Sequence, residues 1–370
     1  MQEIDLQFRT MFADLVQQSL DDRFLSDFPP DGNFVRVAVK GKSYWYYDSA
    51  MRAGARKRLY VGPADDEAIA RRIEEFARLK SDTQSRRMLV NALRRIGLPA
   101  SDRMLGDVVE ALANAGFFRL RGVLVGAAAF QTYAGILGVR FPRAPMQTGD
   151  VDFSQFHSIA AAIGDSTPPM LDVLKSVDPT YREIPDASDS GRTTKFVNAS
   201  KFAVEFLTPN RSSDDYQGKA ASMPSLGGAS ATPLRYLDFL IHEPQRSVLL
   251  HKYGVGVTVP APERYAIHKL IVASERRGSD AAKRLKDVAQ AETLVEAMIQ
   301  VRMKEALADA LGEALARGPS WRAAIKHGLS MASPQTRAVF AELGALDRQP
   351  MATSAFPDNP PAEGIASWDD

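Results

Sequence analysis

Two carboxylates lie two residues apart between apolar neighbours in Thr148-Gly149-Asp150-Val151-Asp152-Phe153, and no other stretch constrains the chain as strongly. In an extended strand, residues i and i+2 leave the backbone on the same side. Asp150 and Asp152 then point together while Val151 and Phe153 enter a core. Acids held that close repel one another near neutral pH, and a bound divalent cation relieves the repulsion more cheaply than a shifted pKa. Carboxylate oxygens are hard ligands that select Mg²⁺ or Mn²⁺, and the usual work of such a pair is to hold a nucleotide's phosphates. The same Asp-x-Asp pattern also occurs in turns and on solvated strand edges, so the surrounding sequence has to decide.

Upstream, Val123-Leu124-Val125-Gly126-Ala127-Ala128-Ala129 reads as a short apolar strand that breaks at glycine into a helix reaching Leu137. Free backbone N–H groups and the positive end of a helix dipole meet at such a turn, which suits a triphosphate. A plain strand-to-helix connection is the alternative. Downstream, residues 192–197 and 201–207 read as a β-hairpin through Asn198-Ala199-Ser200. Its second strand carries Val204-Glu205-Phe206-Leu207, one acid among apolar residues, which is expensive to bury unless a cation or hydrogen bond compensates it. Glu205 is therefore the expected third metal ligand, with an edge-strand carboxylate facing water as the alternative.

A glycine turn after a strand, a strand with Asp-x-Asp and a later strand with one acid together resemble the DNA polymerase β-like nucleotidyltransferase superfamily. The closer resemblance is to a bacterial nucleotidyltransferase-fold family, related in pattern to the AbiEii and MenT toxin nucleotidyltransferases. It is carried by residues 125–129 with Tyr133 and Gly138-Val139, by 148–153, by 204–209, and by 259–270 with Lys286-Asp287. The resemblance implies transfer of a nucleoside monophosphate from a nucleoside triphosphate to a hydroxyl acceptor, with release of pyrophosphate by a two-metal mechanism. It implies catalytic and metal-binding roles for Asp150, Asp152 and Glu205, and nucleotide-binding roles for Gly126, Ala127, Thr148, Lys269 and Lys286. The cofactor so implied is Mg²⁺ or Mn²⁺.

Two positions depart from the pattern. Gly126-Ala127 stands where the superfamily usually has Gly-Gly or Gly-Ser, which leaves phosphate binding there to backbone donors. Glu205 stands where aspartate is commoner, which moves the carboxylate by one methylene. These departures also fit a catalytically inactive module that binds nucleotide or RNA, and the toxin resemblance also fits an interaction protein of a defence system.

The whole-chain balance adds exclusions. A chain of 370 residues is long enough for a large core divided among two or three units. The formal net charge of +1 leaves any nucleic-acid surface to local patches. Absence of cysteine removes disulfides, zinc–thiolate sites and thiol nucleophiles, and the five histidines show no metal-ligand spacing. With no N-terminal apolar targeting segment and no apolar run of about 18 residues, the chain reads as cytoplasmic and free of the membrane.

Taken with the resemblance, the expected fold class is α+β. A polymerase β-like core of mixed sheet and helices spans 116–258, after an N-terminal helical region, 1–115, that carries a small β-meander over 34–62. A C-terminal helical bundle over 259–348 and a disordered tail over 349–370 follow. The meander interleaves Lys40, Lys42, Arg56, Lys57 and Arg58 with Tyr44, Trp45 and Tyr46. Cations neutralise phosphates and aromatic faces stack on bases, so this sheet is an expected surface for RNA, a tRNA end in particular. The alternative is a solvated sheet whose aromatics pack on a neighbouring helix. A protein side chain or a small molecule fits the catalytic block equally well as acceptor. Residues 208–233 lack periodicity and read as a loop leaving the strand of Glu205, and 281–311 carry continuous helical patterning.

Overall fold

Alternation of acidic and apolar side chains over residues 150–154 produces a strand whose Val151 and Phe153 are buried. In the computed structural model, the described residues are 1–28, 32–39, 41–49, 57–76, 83–142, 149–162, 164–186, 189–210, 219–276 and 280–346. Thr148, Lys40, Arg56 and the expected tail lie outside them. Among the described residues no helix is long and apolar enough to cross a membrane.

The chain opens with β1 (Gln2–Glu3) and α1 (Leu6–Asp27), then a three-stranded antiparallel sheet of β2 (Asn33–Val39), β3 (Lys42–Asp48) and β4 (Arg58–Pro63). Helices α2 (Glu67–Glu75), α3 (Thr83–Arg95) and α4 (Arg103–Asn114) follow. Next come β5 (Val123–Val125), α5 (Gly126–Leu137), β6 (Val139–Arg140), β7 (Asp150–Ser154), α6 (His157–Ala162) and α7 (Met170–Lys175). Strands β8 (Arg182–Pro185), β9 (Thr193–Val197), β10 (Ala203–Pro209), β11 (Ala221–Ser222) and β12 (Ser230–Leu234) continue the chain. After α8 (Leu237–Leu240) come the hairpin strands β13 (Gln245–Leu249) and β14 (Val255–Val259). Five helices finish it: α9 (Pro262–Glu275), α10 (Ala281–Gln300), α11 (Lys304–Ala316), α12 (Pro319–Ser330) and α13 (Pro334–Leu346).

A seven-stranded mixed sheet lies at the centre, in the order β11-β12-β10-β7-β5, with β9 on β10 and β8 on β9. β7 and β10 run parallel, as do β10 and β12, and the other pairs are antiparallel. Behind the sheet, the side chains that alternate with the acids form an aromatic layer. Phe153 meets Phe117 at 5.1 Å and Phe206 at 5.9 Å between ring centres, and Phe206 meets Phe196 at 6.0 Å. The Phe153–Phe117 and Phe206–Phe196 contacts are edge-to-face and the Phe153–Phe206 pair is stacked, geometries that add to their area burial. This layer anchors both acid-bearing strands from the side opposite their carboxylates.

The N-terminal elements are tied to this body. β1 pairs with β6, and α1 packs through Phe12 and Leu15, with Ile4 just before it, on Val90 and Leu93 of α3 and on Val248 of β13. Arg86 of α3 is buried, with Nε donating to the Tyr253 carbonyl at 3.1 Å and Nη2 to that of Gly254 at 2.5 Å. The small sheet β2–β4 is covered on both faces. Phe34, Trp45, Tyr47 and Val61 pack with Phe28 and Ile69, while Val35, Val37, Tyr44, Tyr46 and Tyr60 pack toward Leu120 and Ile159.

Two stretches fold differently from their sequence pattern. β12 lies within the stretch read as a loop, because Ser230-Ala231-Thr232-Pro233-Leu234 lacks the β-branched and aromatic run that marks a strand and gains its place by parallel pairing with β10. The helical pattern of 281–311 breaks into α10 and α11 at Arg302, whose backbone is left-handed at φ 64° without a glycine or proline to announce it.

Phe153 has no exposed surface, so Phe153→Ala should cost about 3–5 kcal/mol of unfolding free energy, read from urea denaturation. A loss below about 1 kcal/mol would contradict the role given to the aromatic layer.

Candidate active site

Register brings the acids together. In the parallel pair of β7 and β10, Asp150 lies opposite Ala203 and Asp152 opposite Glu205. Opposed residues on neighbouring strands share a face, so Asp150, Asp152 and Glu205 project together, away from the aromatic layer. On the far side of β7, Val125 of β5 pairs with Asp152, and the next residue, Gly126, starts α5.

Gly126 is required where it stands. Its φ is +64°, and a Cβ there would lie 2.6 Å from Oδ2 of Asp152. The missing side chain thus lets the first turn of α5 abut the acidic face, and no side chain caps that helix at Val125. Ala127 follows in the same turn and offers its backbone alone. The Tyr265 hydroxyl of α9 braces the turn, lying 2.9 Å from the Gly126 carbonyl oxygen and 3.0 Å from Oε1 of Gln290.

One of the three acids is shifted by the other two. Asp152 keeps only partial solvent access, and its pKa is pushed from 3.8 up to about 7, first by burial, then by the charges of Asp150 and Glu205. Lys269 and Lys195 oppose the shift without cancelling it. All three potential ligands are hard carboxylate oxygens, and the space next to Asp152 is kept open by a glycine. That donor set fits Mg²⁺ or Mn²⁺ and suits soft metals poorly.

Lysines fringe the acids. Lys195 of β9 lies opposite Glu205, and its Nζ donates to Oε1 at 2.5 Å. Lys269 of α9 is buried, with Nζ 2.6 Å from Oδ1 of Asp287, whose Oδ2 accepts from Arg276 Nε at 2.5 Å. Lys286 of α10 has its pKa lowered by burial and by neighbouring Lys269, against the pull of Asp150, Asp287 and Asp152. Both expected nucleotide-binding lysines therefore lie within electrostatic reach of the acids. Lys195 and the bracing Tyr265 hydroxyl were not singled out by motif; strand pairing and helix packing bring them in.

Among the described residues, the group of three metal-ligating side chains whose ligand atoms all lie within 4.8 Å of one another is a different one, Asp107, Glu110 and His251. A cation already fills it. Lys252 Nζ reaches Asp107 at 2.8 Å and Glu110 at 2.5 Å, and His251 Nε2 lies 2.9 Å from Asp107. Burial raises the Asp107 pKa, but hydrogen bonds from Lys252 and His251 outweigh it and hold the carboxyl below its usual value. Sequence spacing gives no hint of this group, since its members come from α4 and the β13–β14 turn.

The basic aromatic residues of the meander do not form one platform. Trp45 turns to the face that packs on Phe28, while Tyr46 and Tyr60 are buried on the other, 5.7 Å apart. Arg58 is bound by Asp48 at 2.7 and 2.8 Å, and Lys57 is exposed. Lys42 and Tyr44 line a groove of about 770 Å³ with Arg36, Tyr46, Tyr60 and Arg121. The groove also touches Ile159 of α6, beyond the Ser154 end of β7, so it lies away from the strand end that carries Asp150.

A family described as Nucleotidyltransferase matches residues 103–316, more than half of the chain. No curated protein and no solved structure matches.

Titration of Asp152 gives a pH signature in the metal-free protein. Its folded pKa lies above the unfolded value, so the folded state holds a proton that the unfolded chain releases between pH 3.8 and about 7. Stability falls as pH rises through that window. Asp152→Asn should therefore raise the melting temperature in EDTA more at pH 8 than at pH 5; equal gains at both would contradict the buried, repelled carboxylate.

Proposed function

The chain belongs to the nucleotidyltransferase family, and from that premise we propose that it moves a nucleoside monophosphate from a nucleoside triphosphate to a hydroxyl, with Asp150 and Asp152 holding Mg²⁺ or Mn²⁺. The observation that carries this reading is the β7–β10 register, which sets three carboxylates on one face beside the Gly126 turn. The same register supports a polymerase β-like core.

The divalent ion, when bound, supplies charge neutralisation at the phosphates and favours ionisation of the attacking hydroxyl. The chain's own groups do the rest. Backbone donors of Gly126 and Ala127 at the start of α5 meet the phosphate tail, and Thr148 adjoins the acids in sequence. Lys269, fixed by Asp287, and Lys286 face the charge that grows on the leaving group. The acceptor oxygen bonds to the α-phosphorus as the bond from that phosphorus to the bridging oxygen breaks. That electron pair leaves with pyrophosphate, and the acceptor's proton passes to the Glu205 carboxylate.

RNA is the acceptor class we favour, a tRNA end being one form of it. The groove with Arg36, Lys42, Tyr44 and Arg121 offers cations and one accessible ring on the same body as the acids, which suits a flexible phosphate-rich strand. The fringe of lysines around the acids suits the same polyanion.

Incubation with each α-labelled nucleoside triphosphate, Mg²⁺ and total cellular RNA or lysate tests this. The expected result is label on RNA, lost with EDTA and lost in Asp150→Ala and Asp152→Ala proteins that remain folded. Label on protein would overturn the RNA assignment. Binding of nucleotide without label transfer from any of the four would overturn the enzyme and leave a binding module.

A further inference from the structure

Ala127 brings no side-chain donor to the turn before α5, so the peptide groups there decide what it offers a phosphate. The peptide between Gly126 and Ala127 is one rigid plane, in which the Gly126 carbonyl and the Ala127 N–H point in opposite directions. That N–H belongs to the first turn of α5, where no carbonyl of the helix itself can accept it. Gly126 and Ala127 are partly exposed, whereas Ala128 and Ala129 behind them are buried. Whatever fixes the Gly126 carbonyl therefore aims the Ala127 N–H.

The Tyr265 hydroxyl lies 2.9 Å from that carbonyl oxygen and 3.0 Å from Oε1 of Gln290. A hydroxyl has one proton and cannot serve two acceptors. Gln290 is fully buried, and its Nε2 has no hydrogen-bond partner among the described residues. The oxygen and nitrogen of a carboxamide are assigned by the network they complete, and turning this one end for end sets the nitrogen against the hydroxyl. The line then runs from donor to acceptor without conflict: Gln290 Nε2 donates to Tyr265 Oη, and Oη donates to the Gly126 oxygen. The tyrosine ring is itself held, edge-to-face with Tyr133 at 5.0 Å between ring centres and with the Lys269 ammonium 5.3 Å from its own centre.

We propose that Tyr265, backed by Gln290, is a positioning residue for the nucleotide: its proton fixes and polarises the Gly126–Ala127 peptide, so that the Ala127 N–H meets the triphosphate tail. This rests on the nucleotidyltransferase reading and deepens it. A peptide whose carbonyl accepts a hydrogen bond donates more strongly through its N–H. Lys269 follows Tyr265 by one turn of α9, and Asp287 precedes Gln290 by one turn of α10, so one helix pair holds both the cation and the glycine turn.

The experiment is nuclear magnetic resonance of the full chain labelled with ¹³C-carbonyl glycine and ¹⁵N-alanine, which reports Gly-Ala peptides alone, of which the sequence has four. Ala127→Ser removes one signal and so identifies the Gly126–Ala127 peptide. Adding Mg²⁺ and inorganic triphosphate should shift the Ala127 amide of the wild type. Tyr265→Phe should move the Gly126 carbonyl upfield, as loss of a hydrogen bond does. It should also weaken inorganic triphosphate and nucleoside triphosphate by the same factor, about fivefold for one neutral hydrogen bond. Gln290→Met should move the carbonyl in the same direction by less. If Tyr265→Phe does not fold, the wild-type titration and Gln290→Met still decide. A Gly126 carbonyl unmoved in Tyr265→Phe or moved downfield in Gln290→Met, or an Ala127 amide untouched by bound triphosphate, would overturn the inference and leave the nucleotidyltransferase reading standing. A wild-type chain that binds neither inorganic nor nucleoside triphosphate would overturn both.

Discussion

Repulsion among three carboxylates on one face of a sheet is the constraint that organises this molecule. Side chains paired across neighbouring strands stand about 5 Å apart, where two unit charges repel by about 3 kcal/mol at an effective dielectric of 20. Asp152 and Glu205 are such a pair, and Asp150 adds a third charge. Their strands are kept in place from behind by Phe117, Phe153, Phe196 and Phe206, whose burial is the compensating attraction. A face that is electrostatically strained and a reverse that is tightly packed support the proposed cation site.

The cations that the chain provides are graded in how firmly they are held. Lys269 is buried and bound by Asp287, which Arg276 shares, so its position is set before any ligand arrives. Lys286, one residue before Asp287, carries a depressed pKa in the same neighbourhood. Lys195 donates to Glu205 on the neighbouring strand. The first two come from the helices and the third from the sheet.

Much of the acidic face was legible in the sequence because strand periodicity is strict. Val151 and Phe153 could be core only if Asp150 and Asp152 shared the other side, and Val204 and Phe206 imposed the same choice on Glu205. Lys195 was not legible because the turn is longer than Asn198-Ala199-Ser200: the pairs Val197–Ala203 and Lys195–Glu205 place Lys201 and Phe202 in the connection as well. The Lys269–Asp287 pair spans two helices whose packing no local pattern encodes. The meander's alternation was visible, but not that both of its faces are covered, which turns Trp45 inward and leaves Tyr44 at the groove.

Two clusters of acids among the described residues differ in the direction in which a carboxyl is shifted, downward at Asp107 and upward at Asp152. Asp107 and Glu110 share Lys252, and His251 bonds Asp107, which is a closed ionic network. Asp150 and Asp152 share one face of β7, with Asp152 beside Gly126 and driven toward protonation. Crystals soaked in Mn²⁺ and measured near the manganese absorption edge would separate the two in one map. The account predicts an anomalous peak between the Asp150 and Asp152 carboxylates; a peak at Asp107, Glu110 and His251 with none at Asp150 and Asp152 would contradict it.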